Sequence, residues 1–204
     1  MAERAGPVNT ASPAAADQPA AMSYTLRTAT LEDEPLLREL IARSIRQLGS
    51  ADYSAPQIEA ALKGAFGVDT TLIRDGTFFV VVTDAAELVA CGGWSRRRTL
   101  FGSDTRADRD ESWLDPRTEA ARIRAFFVDP DHTRRGLGRA ILQRSEAEAG
   151  AAGFSMLELM ATLPGVRLYE KCGYQPGAAI DHPLTQELSI RFVPMRKRIR
   201  AGCP

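Results

Sequence analysis

Residues 126–143 read Phe-Phe-Val-Asp-Pro-Asp-His-Thr-Arg-Arg-Gly-Leu-Gly-Arg-Ala-Ile-Leu-Gln, and this run decides the fold. An apolar strand pattern stops at Pro130. A basic loop with Gly136 and Gly138 follows, then an apolar-periodic segment through Leu137, Ile141 and Leu142. The order is strand, glycine loop, helix. A helix N-terminus presents unpaired backbone N–H groups and partial positive charge, which suits a phosphate. Glycine lets the backbone come close to an anion and adopt turn conformations that side chains disfavour. Arg134, Arg135 and Arg139 add charge at the same place.

Two familiar phosphate loops do not fit. A P-loop ends in Gly-Lys-Ser/Thr, and the chain contains no Lys-Ser or Lys-Thr. A dinucleotide fingerprint needs a third glycine where Ile141 stands. The segment instead resembles the acyl-CoA-binding motif of the GCN5-related N-acetyltransferases, the GNAT superfamily, Gln/Arg-x-x-Gly-x-Gly/Ala after an apolar strand. Arg135 through Ala140 satisfies it formally. The more natural register uses Gly136 and Gly138 and places Thr133 at the Gln/Arg position. A second segment, residues 161–174, resembles the family's late motif, Asn-x-x-Ala-x-x-x-Tyr-x-Lys-x-Gly-Phe/Tyr. Tyr169, Lys171, Gly173 and Tyr174 match it, while Thr162 replaces Asn and Gly165 replaces Ala. The resemblance spans roughly residues 24 to 198, its specific matches lying within 126–174.

That resemblance implies an α+β fold in α/β/α layers. Its mixed, mostly antiparallel sheet would have about six to seven strands, splayed between the fourth and fifth, with helices on both faces. It implies an acetyl-CoA-dependent N-acetyltransferase acting on a primary amine of a small molecule or peptide by direct attack in a ternary complex. The pantetheine arm would lie in the splay, beside Phe126, Phe127 and Val128. The pyrophosphate would rest on Arg134, Arg135, Gly136, Leu137, Gly138 and Arg139. Thr162 and Tyr169 would line the cofactor side, and Tyr169 would supply the donor for the departing thiolate. An alkylammonium with a pKa of ~10.4 must lose a proton before attack. The strand at 121–128 has no carboxylate, so Glu119 is the first candidate base, with Asp115 and Glu111 behind it. A water-relayed path is an equal alternative. Trp94, near a strand end, is a candidate substrate contact against a core role. The rival function is a non-catalytic acyl-CoA-binding sensor or regulatory module.

The rest of the chain bounds these readings. A chain of 204 residues has room for one good core. Its 26 basic and 26 acidic side chains balance, so net charge argues for neither nucleic acid nor an acidic membrane surface. No apolar run approaches the ~20 residues of a membrane span. Three scattered cysteines and two histidines suggest no zinc site or disulfide framework, and no metal is expected. A cytoplasmic setting is the default expectation, and a homodimer stays open.

Residues 1–21, rich in Ala and Pro, read as a disordered leader to a single domain at 22–204, with Met22 an alternative start. A strand begins near Tyr24, and Thr30 with Asp33 forms a capping box. Leu36, Leu37, Leu40, Ile41, Ile45 and Leu48 trace one helix face ending at Gly49. Ser54 caps a second helix expected to run to Gly67. Strands are expected at 78–83, 88–94, 121–128, 154–160 and 188–197, and helices from the glycine loop to 149 and at 165–171. The polar stretch 96–118 reads as a mobile or functional loop, with Arg96-Arg97-Arg98 a solvated turn. His132 reads as an exposed turn residue, Cys172 as packing, and Arg196 through Arg200 as a basic tail.

Overall fold

A computed structural model describes residues 22–106 and 109–200. The leader expected at 1–21 lies outside the described residues. One eight-stranded mixed sheet carries helices on both faces. The strands are β1 (Tyr24–Thr28), β2 (Phe78–Thr83), β3 (Leu88–Ser95), β4 (Ala121–Val128), β5 (Met156–Thr162), β6 (Gln175–Pro176), β7 (Ile180–Pro183) and β8 (Ser189–Arg198). Their order is β1-β2-β3-β4-β5-β8-β6, with β7 also on β8. Only β4 and β5 run parallel. The expected count falls short because β6 and β7 are too short to show a period.

The sequence of β2, Phe-Phe-Val-Val-Val-Thr, shows why both faces are covered. Phe79 and Val81 point into one core with the helix α4 (Leu137–Ala151). Phe78 and Val80 point into the other, against the helix α1 (Glu34–Leu48). A strand buried on both sides needs no polar alternation.

A 3-10 turn, Leu31–Asp33, opens where Thr30 N–H donates to the Asp33 carboxylate at 2.8 Å and leads into α1, which ends where Gly49 N–H donates to the Ile45 carbonyl at 3.0 Å. Leu37, Leu40, Ile41 and Ile45 are buried, whereas Leu36 and Leu48 are exposed. The apolar stripe is therefore narrower than expected. Leu36 lies about 100° round the helix from Leu37, and Leu48 sits in the terminal turn. Helix α2 (Ala55–Ala61) is capped by Ser54 but stops well before Gly67. A further helix, α3 (Thr70–Arg74), opens with Thr71 N–H donating to Asp69 at 3.1 Å. Helix α5 is Val166–Lys171.

The basic stretch at 196–200 is mostly not a tail. Arg196 and Lys197 belong to β8 and pair with Glu158 at 2.9 Å and Glu146 at 2.7 Å. Among the described residues no helix is long and apolar enough to cross a membrane.

Candidate active site

The sheet opens beside β4. Ladder pairing to β5 covers only Ala121–Leu157 and Arg122–Glu158, after which the two strands part. The rest of β4 therefore turns backbone groups toward a gap instead of a neighbouring strand. A bulge adds to this. Ala125 has φ 56°, and the β3–β4 register slips between Cys91 and Gly93. A bulge re-aims a peptide group out of the ladder. A Cβ added at Gly92 would fall 2.7 Å from the Phe126 ring, so only glycine lets Phe126 lie over β3 there. At Gly93 an added Cβ would meet the Thr77 carbonyl oxygen at 2.2 Å.

The strand leads straight into the glycine loop. Pro130–His132 forms a 3-10 turn, with Asp131 N–H donating to Asp129 at 2.9 Å. Arg134 and Gly136 have φ of 63° and 82°, and Gly136 is the N-cap of α4. An added Cβ at Gly136 would meet nothing within 4 Å, so the space above this helix start is open. Gly138 differs: its added Cβ would lie 3.2 Å from a Leu168 methyl. Arg134, Arg135 and Arg139 are exposed around the loop, while the Leu137 side chain is buried in the core and leaves only its backbone for a ligand. Open space over a left-handed glycine, the N-terminus of a 15-residue helix and three arginines fit a diphosphate group.

His132 is a correction. It is buried, with Nδ1 3.1 Å from the Tyr24 hydroxyl and its ring edge-on to Tyr24. It anchors the loop to β1.

Between the splayed strands lies a cleft of about 60 Å³. Phe126, Phe127, Thr162 and Tyr169 line it together, as the resemblance implies. Tyr169 packs edge-on to Phe126 at 6.1 Å and to Tyr174 at 5.7 Å. Burial pushes its phenol far above the ordinary range. It stays protonated and can donate a hydrogen bond.

The opposite wall comes from Phe66 in the turn after α2, from Leu100 and Phe101, and from Met160 and Phe192. Beneath it lies a buried ion network centred on Asp69, which is 1% exposed. The Arg124 guanidinium donates to Asp69 at 2.7 Å, to the Thr99 carbonyl at 2.7 Å and to the Gly102 carbonyl at 2.8 Å. Arg109 donates to Asp69 at 2.6 Å and to Asp104 at 3.0 Å. Burial lowers the Arg124 pKa to about 10, with Asp69 opposing the shift.

The stretch 96–118 is thus fastened. Arg97 and Trp113 form an isolated bridge, Arg97 pairs with Asp75 at 2.7 Å, and Arg96 lies 4.2 Å above the Trp113 ring. The three arginines are not a solvated turn. An arginine within the apolar β4 run was the signal that could have revealed this network.

Two expected site residues lie elsewhere. Glu119 sits before β4, at the end where β4 and β5 remain paired. At about 3.3 Å per residue it is roughly 20 Å along the chain from Phe126. Its carboxylate pairs with Arg98 and accepts the Asp115 N–H at 2.9 Å, which holds it below the ordinary carboxylate range. It cannot serve as base in the cleft. Asp115 adjoins it, and Glu111 reaches toward Thr71 and Arg109. Among the described residues, no Asp, Glu or His lines the cleft. Trp94 is 4% exposed, packs against Phe154 and donates to Glu148 at 3.3 Å, so it is a core residue and not a substrate contact. Cys172 is half-buried beside Tyr169 and Tyr174. No cluster of three or more metal-ligating side chains occurs among the described residues.

The model of the Acetyltransferase (GNAT) family matches residues 42–174. No curated protein matches. Among solved structures, a GCN5-related N-acetyltransferase from Rhodopseudomonas palustris aligns with TM-score 0.64 and 20% identity over 88% of this chain and 98% of its own. PaiA N-acetyltransferase from Thermoplasma acidophilum, solved in complex with coenzyme A, aligns with TM-score 0.59 and 14% identity over 87% and 99%. The ribosomal-protein-S18-alanine N-acetyltransferase of Escherichia coli aligns with TM-score 0.53 and 17% identity over 89% and 97%. At these identities the structures establish a shared fold.

Proposed function

Because the chain belongs to the GNAT family of acetyltransferases, we propose that it transfers an acetyl group from acetyl-CoA to a primary amine of a small molecule or peptide, by direct attack within a ternary complex. The observation that carries this reading is the alignment of two features on one strand. The bulged, unpaired half of β4 runs directly into the open Gly136 N-cap of α4. One end offers backbone groups to an extended pantetheine arm, as in strand addition. The other offers N–H groups to the diphosphate. Acetyl-CoA supplies an activated carbonyl and a thiolate leaving group.

The roles of this chain's own groups follow from position. A backbone N–H at the bulge, within 125–128, receives the carbonyl oxygen as it takes on negative charge. The amine nitrogen bonds to the carbonyl carbon, the carbon–sulfur bond breaks, and sulfur leaves with the electron pair. Tyr169 donates a hydrogen bond to that sulfur. Its raised pKa limits it to this, since a thiolate of pKa ~8.5 does not take the proton of a weaker acid.

The amine's proton leaves to water, since none of the described residues lining the cleft is a carboxylate or imidazole that could accept it. Apolar walls assist, because desolvation lowers an ammonium's pKa.

The absence of a lining carboxylate also favours the rival reading, an acyl-CoA sensor. Calorimetry with acetyl-CoA, paired with thiol release across a panel of amines, separates the two. Saturation at 100 times Kd should raise stability by about 2.7 kcal/mol. Binding without release for any amine would favour the sensor. Absence of binding at millimolar acetyl-CoA would overturn both.

A further inference from the structure

Resting on the acetyltransferase reading, we infer that the acceptor is a monoamine carried on an uncharged aliphatic chain, and not a polyamine or another acceptor with a second charge. The inference comes from the charge inventory of the cleft. Its acceptor wall is built from Phe66, Leu100, Phe101, Phe127, Met160 and Phe192. Thr162 and Tyr169 contribute hydroxyls, which are polar but uncharged. The one ionised lining group, Arg124, is 4% exposed and its guanidinium is committed to Asp69, Thr99 and Gly102.

A second ammonium on the acceptor would therefore find no carboxylate among the described residues that line the cleft. A carboxylate on the acceptor would find there only the Arg124 guanidinium, already committed. Burying an unpaired charge is costly, so either group opposes entry. A neutral chain meets only aromatic and aliphatic surface, whose burial is favourable.

The test is a matched pair of acceptors, pentylamine and 1,5-diaminopentane, assayed by thiol release from acetyl-CoA on the full chain. The two have the same chain length and differ by one terminal ammonium. Pentylamine should have the higher kcat/KM by about tenfold or more, the size expected for leaving a charge partly desolvated and unpaired. Leu100→Glu places a carboxylate at the half-buried rim and should narrow or reverse that ratio. Equal or better use of 1,5-diaminopentane by the unmodified protein would overturn the inference while leaving the acetyltransferase reading intact. A ratio untouched in a folded Leu100→Glu protein would likewise count against charge as the discriminator. No release with either amine or any other, with acetyl-CoA bound, would remove the acetyltransferase reading and the acceptor class with it.

Discussion

Asp69→Asn tests the buried network that supports one wall of the cleft. Asp69 is the shared acceptor of Arg124 and Arg109, at 2.7 Å and 2.6 Å, and it also caps α3 through Thr71 N–H at 3.1 Å. Asparagine keeps the size and one acceptor oxygen but removes the charge. Arg124 then remains buried without a full counter-charge from residue 69, held by two carbonyls and at most the asparagine oxygen. Breaking a buried pair by removing one partner costs about 3–5 kcal/mol. Arg109 retains Asp104, which moderates the loss and favours the lower half of that range. At about 2–4 °C per kcal/mol for a chain of this size, thermal unfolding should begin roughly 6–15 °C earlier. The assay is a circular-dichroism melt, checked by urea unfolding. Arg124→Met combined with Asp69→Leu removes the charges together and should be more stable than Asp69→Asn alone, since a charge-free replacement is often neutral. A midpoint within about 2 °C of the parent for Asp69→Asn would mean that Arg124 is not held by a buried carboxylate. The account of the 99–102 wall would then be wrong.

Gly136→Val should weaken acetyl-CoA far more than Arg134→Ala, read by calorimetry, because residue 136 needs φ 82° while Arg134 offers an exposed, salt-screened charge. Gly138→Val should also weaken it, here through contact with Leu168. Tyr169→Phe should leave cofactor Kd nearly unchanged and lower kcat by about 10- to 150-fold, the value of one hydrogen bond to a charged group; an unchanged kcat with chemistry rate-limiting would demote the hydroxyl. A chain beginning at Met22 should melt within about two degrees of full length, since the Ala- and Pro-rich composition of residues 1–21 offers little apolar surface to bury. Arg27 pairs with Asp33 at 2.6 Å and holds its carboxyl below the ordinary range. That pairing contributes in full above the ordinary carboxylate pKa and is lost as pH falls through the lowered one. Asp33→Asn should therefore flatten the acid side of the stability–pH curve, measured by urea midpoints below pH 4 or so.

The parts of the fold legible in the sequence are those where one period runs uninterrupted. The apolar run at 78–83, the hairpin into 88–95 and the glycine loop opening onto Leu137, Ile141 and Leu142 all became the expected elements. Elements shorter than their own signal were lost. Five residues of α3, two of β6 and four of β7 cannot display a period. The capped α2 was overextended because Phe66 continued the spacing while the backbone had already turned at Leu62. His132 was misjudged for a different reason. Its burial depends on Tyr24, more than a hundred residues away, and local composition carries no trace of that contact.

The site divides the same way. The open helix start that fits a diphosphate was readable because glycines and arginines announce it locally. The bulge and cleft beside it were not, because their decisive features are relations between strands. Ala125 looks like any small residue in an apolar strand, yet it takes φ 56° opposite the slip at Gly92. The Gly92–Gly93 pair in an otherwise apolar strand was the only local trace, since glycine inside a strand marks a bulge or a close backbone approach. Glu119 is the carboxylate nearest β4 in sequence, but parallel pairing at Ala121–Leu157 places it at the closed end of the splay. The charge nearest the cleft is instead Arg124, which Asp69 neutralises from below. A carboxylate in the cleft would compete with Asp69 for that guanidinium and weaken the support of the 99–102 wall. The network that shapes this wall therefore works against a lining base, which is why the transfer proposed above has the amine shed its proton to water on entry.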